Sequence, residues 1–443
     1  MQIQLPEKVK YIINKLEAAG YEAYAVGGCV RDSVLGRRPD DWDITTSATP
    51  MQIKAVFHRT IDTGIRHGTV TVMLEHEGFE VTTYRIDGEY EDNRHPKEVV
   101  FTASLREDLK RRDFTINAMA YNDACGLVDE FGGIADLETG IVRCVGDAGE
   151  RFTEDALRIL RAVRFSAQLG FEIEGATKRA IEQLAPNLAH ISAERVQAEL
   201  VKLLISPNPD YMRTAYSLGI TKVVLPELDT AFETAQNNPH HMYTVGEHLM
   251  HGLVNTKPDK CLRIAALFHD IGKPASRKTD SDGTDHFHGH VEISEEMAVK
   301  ILKRLKFDND TITRVRIYIR YHDRQIEPDE RSVRRAVSKI GEAYFDGVLA
   351  LKRADCLSQS TYMREDKLDR LDKIRALYLG ILEKNQCVSL KDLKISGNDL
   401  ICAGVPQGRK IGEVLGRLLE DVLEEPSHNT REYLLERAKA LQA

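Results

Sequence analysis

The residues best suited to chemistry near the start of the chain are two acidic side chains separated by one position. Asp41 and Asp43 belong to an Asp-Trp-Asp sequence, and on an extended segment residues i and i+2 point to the same face. Two adjacent carboxylates repel each other and attract divalent cations, and together with phosphate oxygens they suit Mg²⁺. The competing interpretation is a solvated, Asp-rich turn.

A glycine pair upstream favours the metal site. Gly27 and Gly28 follow a segment predicted as a strand and precede one predicted as a helix, where free N–H groups and the helix dipole favour phosphate. Arg31 adds a forked donor for phosphate oxygens. Two magnesium ions held by the acidic pair would activate a 3′-hydroxyl and stabilise a leaving pyrophosphate. Glu80, on a predicted hairpin strand, is either a third carboxylate of this site or an exposed strand residue.

The composition indicates a folded protein of several domains. The 443 residues suggest about three domains, and 42% hydrophobic with 29% charged residues argue against disorder. The net charge of −8 excludes a protein that binds nucleic acid through a positive charge spread over its whole surface, but it does not exclude a local basic surface. No apolar stretch reaches the ~18 residues of a membrane span. The seven cysteines form no CxxC pair and no signal-peptide core is found, so we expect a cytoplasmic location.

The periodicity of apolar residues predicts an α+β fold. The elements predicted in the first part are a helix over 8–19, strands over 21–26 and 41–45, a helix over 30–35, and a hairpin of strands 69–74 and 79–84 around Glu77-Gly78. Further along the chain, strand signals fade and helical periodicity dominates. The predicted domains are a head over 1–142, a helical neck over 143–232, a body over 233–358 and a helical tail over 359–443.

Four motifs, in order along the chain, carry a resemblance to a known family. They are GGCVRD at 27–32, DWDITT at 41–46, RRDFTINAMAYN at 111–122 and EDALRILRAVRF at 154–165. They resemble the successive motifs of class II tRNA nucleotidyltransferases, the CCA-adding enzymes, and of the related bacterial poly(A) polymerases. The resemblance implies a polymerase-β-like nucleotidyltransferase head, followed by helical neck, body and tail that hold the tRNA acceptor end.

The resemblance also implies roles for single residues. It implies triphosphate contacts from Gly28 and Arg31, magnesium contacts from Asp41 and Asp43, and nucleotide and ribose contacts from Arg112 and Asp113. It further implies that a ridge of one predicted helix binds the incoming nucleotide, and this ridge consists of Asp155, Arg158, Arg161 and Arg164.

The composition of that ridge suits base recognition for a chemical reason. Residues three apart on a helix are neighbours, and a carboxylate only accepts hydrogen bonds whereas a guanidinium only donates them. Cytosine and adenine each present an amino donor beside a ring-nitrogen acceptor, so one Asp–Arg pair matches both bases. Uracil and guanine would be mispaired, which can discriminate by up to ~10⁴-fold. The alternative is a salt-bridged surface helix, worth only about 0.2–0.5 kcal/mol per pair.

A second set of candidate ligands lies in the predicted body. Its members, which resemble the His…His-Asp…Asp pattern of the HD phosphohydrolase superfamily, are His248, His269, Asp270, His290, His322 and Asp355. Imidazole and carboxylate ligands suit a divalent transition metal or magnesium centre that activates water for phosphoester hydrolysis. The competing hypothesis is an HD-like body that serves mainly to bind tRNA.

The sequence therefore predicts a template-independent enzyme that adds CCA to the tRNA 3′-end from CTP and ATP. The alternatives are an A-adding enzyme that works with a separate CC-adding enzyme, a poly(A) polymerase, and an HD phosphohydrolase with a vestigial head. By the resemblance, a polar loop within 86–109 disfavours a CC-only enzyme. The basic run at 300–320 and the segment 395–425 are candidate tRNA contacts, and the alternatives are a solvated surface and core packing, respectively.

Overall fold

The computed structural model describes residues 2–87 and 99–441. The chain divides into two compact units, Met1–Pro226 and Glu227–Ala443. A mixed sheet belongs to the first unit and the second is helical, which confirms the predicted α+β fold class. The finer division into head, neck, body and tail stays a prediction. Much of the predicted loop at 86–109 lies outside the described residues.

A seven-stranded mixed sheet forms the centre of the first unit. The strands follow one another across the sheet in the order Thr60–Gly64, Thr69–Leu74, Glu77–Thr83, Ile44–Thr46, Ala23–Val26, Met119–Asn122 and Gly126–Asp129. Strands Ile44–Thr46 and Glu77–Thr83 are parallel, with Ile44 opposite Val81, and the other neighbours are antiparallel. Strands Ala23–Val26, Ile44–Thr46 and Met119–Asn122 are buried along their whole length, so they form part of the core.

Helices pack against this sheet and continue beyond it. They are Glu7–Ala18, Gly28–Val34, Pro50–Val56, Leu105–Lys110, Gly133–Thr139, Ala148–Glu154, Leu157–Leu169, Gly175–Leu184, Ala193–Leu204, Met212–Ser217 and Thr221–Val224. Two small sheets pair Arg85–Asp87 with Val99–Phe101 and Ile141–Val142 with Glu172–Ile173. The first helix buries Val9, Ile12, Ile13 and Leu16, the apolar positions whose spacing predicts it.

The hairpin and the acidic segment differ locally from the sequence prediction. The predicted turn at Glu77-Gly78 is wrong, because Leu74 pairs with Glu77 and the turn is therefore formed by residues 75–76. Glu75 adopts the left-handed conformation there, with φ 56°, and Lys8 forms ion pairs with both Glu75 and Glu77. The strand predicted over 41–45 begins only at Ile44, so Asp41 and Asp43 precede the strand.

The predicted ridge that begins at Asp155 is also corrected by the structure. The helix that carries Arg158, Arg161 and Arg164 begins at Leu157, and Asp155 lies before it in an extended conformation, with φ −142°. Its Oδ1 accepts a hydrogen bond from the N–H of Leu157 at 3.0 Å. The carboxylate therefore accepts a hydrogen bond from one of the free N–H groups at the start of the helix. Asp155 is not part of the helix that carries the three arginines.

The second unit is built from helices. They are Pro226–Glu233 at its junction with the first unit, then Val245–Val254, Lys260–Phe268, Lys273–Ser276, His290–Arg304, Asn309–Tyr321, Glu330–Ile340, Glu342–Ser358, Arg364–Glu383, Gly397–Cys402, Arg409–Glu424 and Arg431–Ala440. A short antiparallel pair, Lys278–Thr279 with Asp285–His286, interrupts them. Several helices begin with an N-cap side chain that accepts a backbone N–H of the first turn, as at Thr244, Asp259 and Asp308.

The C-terminal helices bury an apolar cluster of their own. Val414, Leu418 and Val422 on one helix face pack with Leu400 and Leu434, so core packing accounts for the apolar positions predicted in this segment. Within the part of the chain that the structure describes, no helix has both the length and the apolarity that crossing a bilayer requires.

Candidate functional site

Asp41 and Asp43 lie together in an open cleft of the first unit, with a volume of about 1390 Å³. The cleft is lined by parts of segments 2–8, 33–43 and 77–80, and both carboxylates are exposed to it. The parallel register that pairs Ile44 with Val81, continued back by one residue, sets Asp43 beside Glu80. Glu80 lines the same cleft, which keeps it a candidate third carboxylate.

The electrostatic surroundings of Asp43 are those of a cation site. Partial desolvation by the surrounding protein raises the pKa of Asp43, and the neighbouring charge of Asp41 acts in the same direction, whereas Arg112 opposes both. Two carboxylates that disfavour each other's charge are stabilised by a divalent cation. The residues present therefore fit a hard divalent metal ion with oxygen ligands.

The glycine turn and the acidic segment are directly connected. The N–H of Val26 donates to the backbone oxygen of Asp43 at 3.0 Å, and Gly27 follows with φ 83° and begins the helix Gly28–Val34. A Cβ atom at Gly27 would lie 3.0 Å from Nη1 of Arg112. Because both the positive φ and the close guanidinium exclude a side chain, the turn requires glycine here. Turn, acidic segment and Arg112 thus meet at one point.

Arg31 is buried and held by a network that the sequence analysis did not find. Its Nε and Nη2 donate to the two carboxylate oxygens of Asp32, both at 2.9 Å, and Nη1 donates to Oδ1 of Asn117 at 2.7 Å. Asn117 in turn donates to Oδ1 of Asp113 at 3.2 Å. These bonds use three of the five N–H donors of Arg31. The side chain is therefore fixed in position and still has donors for a phosphate oxygen.

Asp113 forms the other end of that network. The carboxylate is buried, accepts from Nε of Arg161 at 2.8 Å and accepts from the N–H of Phe114 at 2.9 Å. Burial opposes its charge, but the Arg161 guanidinium and the Asn117 amide hold the pKa of Asp113 down at about 2. Asp113 is thus an anion throughout the physiological pH range.

The remaining residues predicted to bind the nucleotide lie near Asp113 and are paired within the protein. Nη1 of Arg158 donates to Glu154 at 2.7 Å, and Nη2 donates to the backbone oxygen of Arg111 at 2.9 Å. Arg164 pairs with the buried carboxylate of Glu199. An Asp–Arg pair that binds a base from these positions has to break some of these internal hydrogen bonds and form hydrogen bonds to the base instead.

Four residues of this region were missed by the sequence analysis. Asn117, Arg195 and Glu199 hold predicted site residues, and the ring of Phe165 lies under three guanidinium groups, with centroid distances of 5.1 Å to Arg31, 5.3 Å to Arg161 and 3.7 Å to Arg164. Phe165 is therefore a common cation–π partner for these arginines. A signal was available at Glu199, which lies on the apolar face of its helix with Val196, Leu200 and Leu203.

The predicted ligands of the second unit converge. They form two groups, and within each group the ligand atoms all lie within 4.8 Å of one another. The first group is His248, His269, Asp270 and Asp355. The second is Asp270, His290 and His322, so Asp270 belongs to both. Oδ2 of Asp270 is 3.2 Å from Nε2 of His248, and Oδ1 is 3.4 Å from Nε2 of His290. The two oxygens of one carboxylate therefore face different halves of the cluster.

The orientation of the imidazoles fits metal binding. The Nδ1 atoms of the four histidines lie 2.7–3.3 Å from backbone carbonyl oxygens. Donation from Nδ1 leaves each Nε2 lone pair for the centre of the cluster, as is usual for metal-ligating histidine. Burial opposes the charge on Asp270, but Lys273 and neighbouring imidazoles hold its pKa well below the ordinary value. Oδ1 of Asp270 is buried without a hydrogen-bond partner, and a metal ion would satisfy it.

The basic run at 300–320 is largely compensated by acidic side chains. Its paired members are Arg304 with Glu227, Arg314 with Asp310, and both Arg316 and Arg320 with Glu295. These pairs reduce the local positive charge, which favours the solvated-surface interpretation of the run.

Comparison with known proteins places the whole chain in one family. Family models of the poly(A) polymerase head domain, of the "probable RNA and SrmB-binding site of polymerase A", and of tRNA nucleotidyltransferase domain 2 match residues 23–143, 170–232 and 285–438. The CCA-adding enzyme of Lactiplantibacillus plantarum is 36% identical over 447 aligned residues, which cover 98% of this chain and 97% of that protein. This chain belongs to the CCA-adding enzyme family.

Other CCA-adding enzymes support the assignment. That of Limosilactobacillus reuteri is 34% identical over 99% of this chain and 98% of its own length. The crystal structure of the Bacillus stearothermophilus CCA-adding enzyme in complex with CTP has a TM-score of 0.73 and 29% identity, and the match covers 99% of both chains. The Thermotoga maritima CCA-adding enzyme complexed with tRNA-CCA has the same fold, with a TM-score of 0.59. The family membership expected from the four sequence motifs is confirmed.

Proposed function

We propose that this chain extends the 3′-end of tRNA by template-independent nucleotidyl transfer, with CTP and ATP as donors. In each step the 3′-oxygen of the RNA forms a bond to the α-phosphorus and the bond to pyrophosphate breaks. The observation that carries the proposal is the hydrogen bond from the N–H of Val26 to the backbone oxygen of Asp43, which joins the acidic segment to the strand that ends at the Gly27 turn. A carboxylate pair beside a phosphate-binding turn is what this transfer needs.

In this proposal the metal ion is Mg²⁺, held by Asp41 and Asp43. When bound there, magnesium supplies activation of the hydroxyl and neutralisation of the leaving pyrophosphate. Arg31 and the N–H groups of the Gly28 turn hold the triphosphate, whereas Arg112 and Asp113 position the sugar. The fixed network from Arg31 through Asn117 to Asp113 supports this assignment, because it links the triphosphate end of the nucleotide to its sugar.

Asp155 and Arg158 select the base in this proposal, with Arg161 and Arg164 supporting them. The pattern of one acceptor beside one donor fits cytosine and adenine and mispairs with uracil and guanine. One relative points to CTP as a donor, since the Bacillus stearothermophilus CCA-adding enzyme was crystallised with CTP. Because tRNA is the substrate and all seven cysteines are free thiols, we infer a cytoplasmic location.

Incorporation assays on three RNAs test the proposal. On a tRNA that lacks CCA the wild-type chain should add two C residues and one A, and on a tRNA that ends in CC it should add one A. The Asp41→Asn, Asp43→Asn double variant should be inactive, whereas Asp40→Asn, a change in the same cleft, should remain active. Incorporation by the double variant would disprove the site. A addition without C addition would favour an A-adding enzyme, and long A-tracts on RNA other than tRNA would favour a poly(A) polymerase.

We propose a second activity for the cluster in the second unit, namely metal-dependent hydrolysis of a phosphoester in a nucleotide or at a tRNA 2′,3′-end. The convergence of imidazole and carboxylate ligands on Asp270 supports it. When bound, a divalent transition metal supplies an activated water. Hydrolysis of bis(p-nitrophenyl) phosphate and of a 2′,3′-cyclic nucleotide by the full chain tests it, with nickel, manganese or magnesium added.

Matched variants separate this second activity from a purely structural role. Asp270→Asn should abolish hydrolysis, and His251→Ala, on the same helix as His248 but outside the cluster, should retain it. A wild-type chain that binds metal without hydrolysing either substrate would contradict the activity. It would favour an HD-like body that serves to bind tRNA.

A further inference from the structure

The residue between the two acidic ligands is an aromatic one that the proposed chemistry has not used. Trp42 is the single tryptophan of the chain. It is only partly buried and lines the same cleft as Asp41 and Asp43. A large indole that served only the core would be buried, as Phe114 and Phe152 are. Its position indicates a role in the cleft.

The surroundings of Trp42 combine further apolar and cationic surface. Phe79 lines the same cleft and is partly exposed. Arg37 and Arg38 line it as well, are exposed, and form no ion pair with any side chain in the described ranges 2–87 and 99–441. The nearby Lys8, by contrast, is paired with Glu75 and Glu77. Aromatic side chains beside exposed arginines are the features that bind single-stranded RNA.

We propose that Trp42 stacks on the terminal base at the 3′-end of the RNA, and that Arg37 and Arg38 contact the phosphates that precede it. This inference rests on the proposed nucleotidyl transfer, because the attacking 3′-hydroxyl then has to lie at the ions held by Asp41 and Asp43. Trp42 lines the same cleft as both of those ligands, so the nucleotide that carries this hydroxyl has to enter the cleft that Trp42 lines. The residues assigned to the incoming nucleotide, Arg31 and Arg161 among them, gather instead around Phe165.

Stacking also suits the sequence of steps better than hydrogen bonding would. During CCA addition the terminal base of the attacking RNA is first the original tRNA end, which can be any base, and afterwards C. A site that read the edge of this base by hydrogen bonds would reject some of the successive ends. An aromatic face accepts every base, because every base has a π-face. Trp42 thus provides affinity for the RNA end without base selection.

Tryptophan fluorescence of the full chain tests the proposal directly, because Trp42 is the only tryptophan. Titration with a tRNA that ends in CC and carries a 3′-deoxy terminus, which blocks transfer, should quench the emission. Titration with CTP alone should have little effect. Unchanged emission at saturating tRNA, or full quenching by CTP alone, would overturn the assignment.

Kinetics of variants supply the second arm. Trp42→Ala should raise KM for tRNA about tenfold, which is the loss of affinity expected when one stacking contact is removed. KM for CTP should be unchanged. Trp42→Phe, which keeps an aromatic ring, should have a KM for tRNA close to that of the wild type. Tyr11→Ala, which removes an exposed aromatic ring of the first helix, should behave as wild type. Equal KM values for tRNA in Trp42→Ala and wild type would refute stacking. A wild-type chain without incorporation would instead refute the proposed function, so the two failures are distinguishable.

Discussion

Arg195 donates from Nη2 to Oδ2 of Asp155 at 2.7 Å, and this ion pair connects two separate parts of the first unit. Arg195 lies on the helix Ala193–Leu204, whereas Asp155 lies in the break between Ala148–Glu154 and Leu157–Leu169. The other oxygen of Asp155 accepts from the N–H of Leu157. Both carboxylate oxygens are therefore fixed, one by a helix start and one by a guanidinium.

We expect Arg195→Ala to relax base selection. On the proposed assignment of Asp155 to base recognition, loss of the guanidinium lets the carboxylate rotate, so its acceptor would no longer meet the amino group of cytosine in a fixed position. The preference for CTP over UTP, measured as the ratio of kcat/KM values in single incorporations, should fall about tenfold, part of what a polar mispairing supplies.

Two variants make that test specific. Arg195→Lys should keep more of the discrimination than Arg195→Ala, because it retains a cation. Arg213→Ala, which disrupts an ion pair with Asp210, should leave the ratio unchanged. If Arg195→Ala lowered CTP and UTP incorporation equally, Arg195 would have only a structural role.

Gly27→Ala should reduce activity far more than it reduces stability. Its φ of 83° with ψ −131° is a sparsely populated backbone conformation that costs an alanine about 1–3 kcal/mol, and the new Cβ would also displace Arg112, whose Nη1 is 3.0 Å away. Gly20 provides the control, since it has φ 88° but nothing within 4 Å of a Cβ. We expect both alanine variants to lose unfolding free energy, measured by urea unfolding, and a roughly 100-fold lower kcat/KM only for Gly27→Ala. Equal activity of the two variants would show that the contact with Arg112 is unimportant.

Asp113 should make the stability of the protein depend on pH in the acidic range. Its pKa in the folded state is about 2, below the ordinary value of 3.8, so its contribution is fully present above pH ~4 and is lost as the pH falls towards ~2. The shift corresponds to roughly 2 kcal/mol. Urea unfolding should show Asp113→Asn less stable than wild type by about this amount at pH 7, with a difference that shrinks below pH ~4.

An exposed ion pair serves as the comparison for Asp113. Asp62→Asn, which removes the exposed partner of Lys54, should change the free energy of unfolding by no more than about 1 kcal/mol. A difference between Asp113→Asn and wild type that stayed constant down to pH ~2.5 would contradict the depressed pKa.

Metal content should reveal the shared role of Asp270. Because its two oxygens face different groups of ligands, we expect Asp270→Asn to lose metal from both groups. His269→Ala and His290→Ala should each weaken binding in one group only. Elemental analysis after loading and gel filtration measures the metal per chain. Equal metal content in Asp270→Asn and wild type would exclude this cluster as the binding site.

The elements that the sequence predicted best are those with strong periodicity. The first helix and the strand Thr69–Leu74 follow from regular apolar spacing, whereas the hairpin turn was misplaced because Glu75 adopts a left-handed conformation that non-glycine residues rarely take. The predicted ridge failed at Asp155 for a related reason. A three-residue spacing continues through EDALRILRAVRF, and nothing in the letters marks the helix break before Leu157.

The candidate sites divide in the same way. Residues whose types are unusual in a motif, such as Asp41 beside Asp43 or His269 beside Asp270, could be recognised from the sequence alone. The partners of Arg31 and Arg164 could not be assigned to them in the same way, because Asn117 and Glu199 come from other segments and reach these arginines only through tertiary contacts. A single sequence gives residue types and spacing, and these contacts depend on which distant elements pack together.

The backbone carbonyl bonds of His248, His269, His290 and His322 bear on the order of events during maturation. Carbonyl groups of the polypeptide itself contact Nδ1 of each of these imidazoles, and these contacts favour the observed orientation of the rings. Small zinc domains, in contrast, fold only when zinc binds. On the proposed metal site, a newly synthesised chain would therefore fold before an ion binds, and we expect a chelating agent to leave the protein folded.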